Sequence, residues 1–171
     1  MHTTTTITYP LTNPHDVLAM MRDETFQRLR VEGTPIDLVS FQVENDSACG
    51  DSITSIILVW KVDVERVRQD PRAASLARFI RSSSPITIRL VEKWNADGTA
   101  ATTSITIADF DVSAEISSTL RAVDGSVRRG AEVSLRCRIP LVGAMVERHA
   151  MPHVVDVVRR DEEAAVRWCS R

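Results

Sequence analysis

Along the middle of the chain, apolar and polar residues alternate with a period of two, the signature of strands that bury one face. Ile53 to Val62 is apolar on both sides, with Ile56, Leu58, Trp60 and Val62 on one and Ile57 and Val59 on the other. Ile86, Ile88 and Leu90 alternate with polar residues, and the strand runs on to Trp94. Asn95-Ala96-Asp97-Gly98 is a hairpin turn signal. Ala101, Thr103, Ile105 and Ile107 mark the next face, followed by Ala114, Ile116, Ser118, Leu120 and Ala122. After the Asp124-Gly125 turn, Ala131, Val133, Leu135, Cys137 and Ile139 alternate with Glu132, Ser134, Arg136 and Arg138. Arg128-Arg129-Gly130 reads as part of a hairpin tip. Clean alternation on hairpin-linked strands predicts an antiparallel sheet with one wet face and one dry face that needs a cover.

Before these strands, Thr3 to Tyr9 is β-branched and polar, suiting an edge strand. Asn13-Pro14 reads as an N-cap followed by proline at the first helical position, opening a short helix with Val17, Leu18, Met20 and Met21. A second short helix follows from Asp23 with Phe26 and Leu29, and Gly33-Thr34-Pro35 closes it. Ile36 to Glu44 is a strand whose apolar phase slips between Leu38 and Val39, which predicts a bulge or bend.

The pattern switches to a helical period over Pro140 to Arg171. On a helical wheel Val142, Val146, Ala150, His153, Val157, Ala164 and Trp168 share one stripe, with Arg148, Arg159, Glu162 and Glu163 opposite. Pro152 interrupts this pattern, removing one backbone hydrogen bond and crowding the preceding turn. The stripe therefore holds separately on each side of it, and a kink is expected. Asp161 falls near the stripe, which calls either for rotation outward by that kink or for an arginine partner. Between the strands, Asp63 to Pro85 carries a further helical pattern from Pro71, with Ala73, Leu76, Ala77 and Ile80 on one face. That segment reads as a connector on the sheet rim or as a lid.

Taken together, the elements give an α+β class. Their order resembles the START-like, or helix-grip, superfamily (SRPBCC), which includes the birch-pollen-allergen-like proteins and polyketide cyclases, and within it an uncharacterised bacterial family. Tyr9-Pro10 with Val17, Asp23 and Phe26 carry the likeness, then Glu92-Lys93-Trp94, then Ile139-Pro140-Leu141-Val142-Gly143 with Glu147, and finally Trp168. Ala144, where a second glycine is common, and Pro152 depart from it. The resemblance implies a helix-grip fold: a curved antiparallel sheet of about six or seven strands around a long C-terminal helix, with two short helices after the first strand. It also implies an apolar cavity between sheet and helix, which superfamily members use for lipids, polyketides, hormones or other hydrophobic molecules. Some members are enzymes, and many only carry or sense a ligand.

Composition narrows the function classes. The 171 residues fit one domain over 1–171, large enough to bury about 70% of the unfolded surface. A net charge of −2 gives no electrostatic case for nucleic acid. Of 21 basic residues only Lys61 and Lys93 are lysines, a bias of genome composition more than of phosphate binding. Cys49, Cys137 and Cys169 form no C-x-x-C, so reduced thiols, a cytoplasmic setting and no stable membrane insertion are the expectation.

The ligand-binding candidates are the dry-face residues Leu58, Trp60, Ile88, Leu90, Ile105, Leu120, Leu135, Val146, His153 and Val157, and the small inner residues Ala101, Ala114, Ser118 and Ala131 favour space among them. Packing as plain core is the competing explanation for each. His149 and His153 have the spacing of a helical metal pair, but Pro152 lies between them and a third ligand is lacking, so no metal or other cofactor is expected. His153, tuned by burial or by Asp161, is the candidate base should the cavity host chemistry. No G-x-S-x-G or glycine-rich phosphate loop occurs, and Asp109 and Asp111 beside Phe110 read as turn formers. Three functions remain open: a carrier or sensor of a hydrophobic small molecule or lipid, a cyclase- or hydrolase-like enzyme using the same cavity, and a protein-interaction domain with an exposed patch around Leu76, Phe79 and Ile80.

Overall fold

A computed structural model describes residues 1–45, 50–61, 85–107, 111–140 and 143–171. Its elements run β1 (His2–Tyr9), α1 (Pro14–Met21), α2 (Glu24–Val31), β2 (Ile36–Asn45), β3 (Ser52–Trp60), β4 (Ile86–Trp94), β5 (Ala100–Ile107), β6 (Val112–Val123), β7 (Ser126–Cys137) and α3 (Gly143–Cys169). The helical pattern expected from Pro71, with Ala73, Leu76, Ala77, Phe79 and Ile80, lies outside the described residues, as do Cys49, Asp109, Phe110 and Val142.

The seven strands form one curved antiparallel sheet in the order β1-β7-β6-β5-β4-β3-β2, so the first strand closes against the last. The bulge expected near Val39 is present: the β2–β3 register shifts between Leu38 and Ser40, and Val39 is 62% exposed. The β6–β7 hairpin turns on two residues, Asp124 and Gly125, both with positive φ. A tight turn of that kind matches the right-handed twist of its strands, and glycine enters it without strain. β7 therefore begins at Ser126, and Arg128 and Arg129 are strand residues instead of a hairpin tip. Alternation then sends Arg128 outward and Arg129 into the interior, where it is fully buried.

Local chemistry fixes the short helices. Asn13 Oδ1 accepts from the His15 N–H at 2.9 Å, with Pro14 at the first helical position. Asp23 Oδ1 caps α2 by accepting from the Thr25 N–H at 2.8 Å, while its Oδ2 accepts from the Trp168 indole at 2.7 Å. One carboxylate thus starts α2 and holds the far end of α3. Partial burial works against its ionised form, but hydrogen bonds from Trp168 and Thr25 outweigh that and hold its pKa below the ordinary carboxylate value.

α3 lies principally against α2, β1 and β7. The core sits there, built from Ile7, Tyr9, Phe26, Val133, Met151 and Val158 among others. Each large apolar side chain taken fully out of water contributes about 1.5–3 kcal/mol. The helical stripe differs from the wheel. Met151, Val158, Asp161, Ala164 and Ala165 are buried, whereas His153 is exposed and Val157 is 40% exposed. A wheel centred on the residues before Pro152 accumulates phase error over a helix of 27 residues, and the helix continues through the proline.

Candidate functional site

The strand registers arrange the inner-face residues in rows. Ser52, Trp94, Ala101, Ser118 and Ala131 face one another across β3, β4, β5, β6 and β7. The next row is Thr54, Glu92, Thr103, Ile116 and Val133, and the one after is Ile56, Leu90, Ile105, Ala114 and Leu135. Two of these rows bring polar side chains to a face that is otherwise apolar. Glu92 is in phase with Leu90 and Trp94, so the period of two leaves it no route outward. It is 0% exposed, as is Thr54, and Ser52, Thr103 and Ser118 are buried beside them.

A charged network meets this face. Asp161 of α3 accepts from Arg30 of α2 through both oxygens, Nε to Oδ1 at 2.7 Å and Nη2 to Oδ2 at 3.3 Å. Its Oδ2 also accepts from Arg129 Nη1 of β7 at 3.0 Å. Arg129 in turn donates to the Tyr9 hydroxyl at 3.1 Å and to Ser118 Oγ at 2.9 Å. Arg30 donates to Gln27 Oε1 at 2.7 Å and reaches Glu92 Oε1 at 3.5 Å. The network joins two helices to β1, β4, β6 and β7.

The charges hold one another in place. Burial works against both guanidiniums, yet Tyr9, Asp161 and Glu92 around Arg129, and Asp161 and Glu92 around Arg30, more than offset it and raise both basicities. Burial pushes the Tyr9 phenol well above its usual value, keeping it neutral. One buried guanidinium, Arg129, and one largely covered one, Arg30, thus face two buried carboxylates. Asp161 uses both oxygens, and Glu92 uses one. Among the described residues Glu92 Oε2 has no hydrogen-bond partner, nor do Ser52 Oγ, Thr54 Oγ1, Thr103 Oγ1 and Trp94 Nε1. All five belong to the two adjacent rows on β3, β4 and β5.

The residues expected from sequence to line a cavity divide into three groups. Leu58, Trp60, Ile88, Leu90 and Ile105 lie together on the inner face of β3, β4 and β5; of these Leu90 is buried and the other four are half-buried. Leu120 and Leu135 lie on the inner face of β6 and β7, in the packed core with Ala101, Ala114 and Ala131, so those small residues are filled in against neighbours. Val146 is half-buried, and His153 and Val157 face outward, which removes the base named for an enzymatic cavity. His149 is exposed as well. No group of three or more His, Cys, Asp or Glu among the described residues is placed to hold a metal ion.

Sequence reasoning passed over Glu92, Thr103, Arg30 and Arg129, although alternation places Glu92, Thr103 and Arg129 in phase with dry-face neighbours. A separate trough of about 630 Å³ lies against the sheet, edged by Thr4, Thr6, Thr102, Ser117 and Thr119. Alternation puts Thr4, Thr102, Ser117 and Thr119 on the outer face, whereas Thr6 on edge strand β1 also borders Arg159, Glu162, Glu163 and Val166 of α3, and Ala101, Ser118 and Ala131 of the inner face complete the trough.

The profile of a family described as "Protein of unknown function (DUF2505)" matches residues 4–169. The chain belongs to this family. No curated protein matches it significantly. Among solved structures, this DUF2505 protein is similar to TTHA0849 from Thermus thermophilus, with a TM-score of 0.60 at 13% identity, covering 97% of each chain. It is also similar to Ara h 8.0201, with a TM-score of 0.57 at 9% identity and 97% of each chain covered. A START superfamily protein from Mycobacterium smegmatis gives 0.52 at 10% identity, covering 95% of this chain and 96% of that one. These likenesses establish the START-like, helix-grip fold of the DUF2505 chain.

Proposed function

We propose that the protein carries or senses a hydrophobic small molecule or lipid, held against the inner face of β3 to β5. The observation behind this reading is the state of that face. Leu58, Trp60, Ile88 and Ile105 project inward yet remain half-buried, while α3 lies principally against α2, β1 and β7. A guest covering such side chains gains roughly 25 cal/mol for each Å² of apolar surface removed from water. Apolar walls with a few placed polar groups are the usual make-up of small-molecule sites. The resemblance to START-like proteins, whose members hold hydrophobic molecules between sheet and helix, supports the same reading.

Native mass spectrometry of protein purified from its own host tests it, alongside titration with the apolar dye Nile red. The expected result is a co-purifying small molecule, with dye binding that Ile88→Trp suppresses by filling the space. A bare polypeptide that also fails to bind the dye overturns the proposal.

A further inference from the structure

We propose that Glu92, with Thr54 and Thr103 beside it and Ser52 and Trp94 in the adjacent row, is a head-group subsite for the neutral, hydroxyl-bearing end of an otherwise apolar molecule. The inference deepens the binding function proposed above and rests on it. Buried polar atoms are nearly always paired, because an unpaired one forfeits its hydration without return. Here five sit within two neighbouring rows, on side chains that are at most 3% exposed. Scattered orphans suggest local packing faults, whereas five gathered in two neighbouring rows on one face of three strands mark a place that something polar completes.

The chemistry of the five atoms selects the partner. Glu92 Oε2 accepts hydrogen bonds, so the guest must donate. Trp94 Nε1 only donates, so the guest must also accept. Ser52, Thr54 and Thr103 do either. A hydroxyl is the smallest group that donates and accepts at once.

Charge selects further. Arg30 and Arg129 are already matched by Asp161 and Glu92. A cationic head would leave one buried positive charge in excess, and an anionic head one negative charge, each costly to hold out of water. A neutral head disturbs nothing. The row of Ile56, Leu90 and Ile105 lies on the opposite side of Glu92 from Trp94, and Leu58 and Ile88 lie beyond it, so the apolar body extends from the subsite along β3 and β4.

The test compares binding of 1-decanol, its methyl ether, decylammonium and decanoate to the full chain, read by intrinsic tryptophan fluorescence and calorimetry. Decanol is expected to bind at least about tenfold more tightly than the ether, which accepts but does not donate, as befits one hydrogen bond to a charged group. Both charged probes are expected to bind more weakly than decanol. Glu92→Gln should collapse the preference of decanol over the ether. Because that variant disturbs the charge balance, the double variant Thr54→Val/Thr103→Val serves as the second reading. It removes two unpaired hydroxyls at constant shape, so it should fold normally and lose most of the preference.

Equal binding of decanol and ether by the native chain overturns the subsite, with water alone serving those atoms, and leaves hydrophobic binding standing. A preference for decylammonium or decanoate overturns the neutral head. An undiminished preference in the double variant overturns the roles of Thr54 and Thr103. Failure of every probe to bind overturns the subsite, and the binding function itself falls only if Nile red and native mass spectrometry also find nothing bound.

Discussion

Arg129 of β7 donates to Asp161 of α3 at 3.0 Å, inside an interior that hides both side chains almost wholly from solvent. This bond ties the closing pair of strands to the gripped helix, and Arg30 extends it to α2. A buried ion pair contributes little net stability over apolar packing, but removing one partner strands the other charge.

Asp161→Asn is therefore expected to destabilise the fold by about 3–5 kcal/mol, since two guanidiniums lose a shared counter-charge. Tyr9→Phe, which removes only one acceptor from Arg129, is expected to cost about 0.5–1.5 kcal/mol. Urea unfolding of the two variants checks the ranking, and a loss below about 1 kcal/mol for Asp161→Asn refutes it.

The Asp23 clamp between α2 and Trp168 sets an acid limb on stability. Its folded pKa lies below the ordinary 3.8, so its contribution is complete above that value and is lost as pH falls through the lower, folded one. Urea midpoints measured from about pH 5 down to about pH 2.5 should decline less steeply in Asp23→Asn than in the native chain. At neutral pH, Asp23→Ala is expected to cost about 1 kcal/mol for the lost cap. A double-mutant cycle with Trp168→Phe should show coupling, and strict additivity would mean that the indole contact contributes nothing.

Gly143 opens α3 with its α-carbon against the Cys137 backbone: an added Cβ would fall on the Cys137 carbonyl oxygen. Helix propensity alone favours alanine there by about 1 kcal/mol. The overlap involves backbone, which yields poorly, so Gly143→Ala is expected to destabilise by about 1–3 kcal/mol despite that preference. A rise in melting temperature would show that propensity wins.

Pro152 is exposed within a continuous helix and has no N–H to offer Arg148. Pro152→Ala should stabilise by about 1–2 kcal/mol: helix geometry gains up to about 3, and the looser unfolded chain returns up to about 1. Thermal unfolding checks the sign.

Much of the sheet was legible from alternation alone. Ile86 to Trp94 and Ala101 to Ile107 fell into place because a half-buried strand shows its dry face every second residue. The Asn13-Pro14 cap and the start of α2 at Asp23 were equally readable, because helix entry involves only near neighbours. The functional reading of α3 went astray at His153 and Val157, since the wheel marks an apolar stripe without saying what lies opposite. The members of the candidate subsite carry separate local signals, Glu92 and Trp94 within one motif and Thr103 as a face marker, and only strand register sets them side by side.

By itself the sequence determined the described strands and helices, the antiparallel pairing of the hairpin-linked strands and the presence of a long terminal helix, because those follow from periods and caps written within short stretches. Only the tertiary structure decided which face of α3 is buried, that Arg30 and Arg129 share Asp161, and that Glu92 stands beside Thr54 and Thr103. Those relations join residues as far as 131 positions apart. They depend on strand register and helix rotation, which the balance of burial and charge over the whole chain sets.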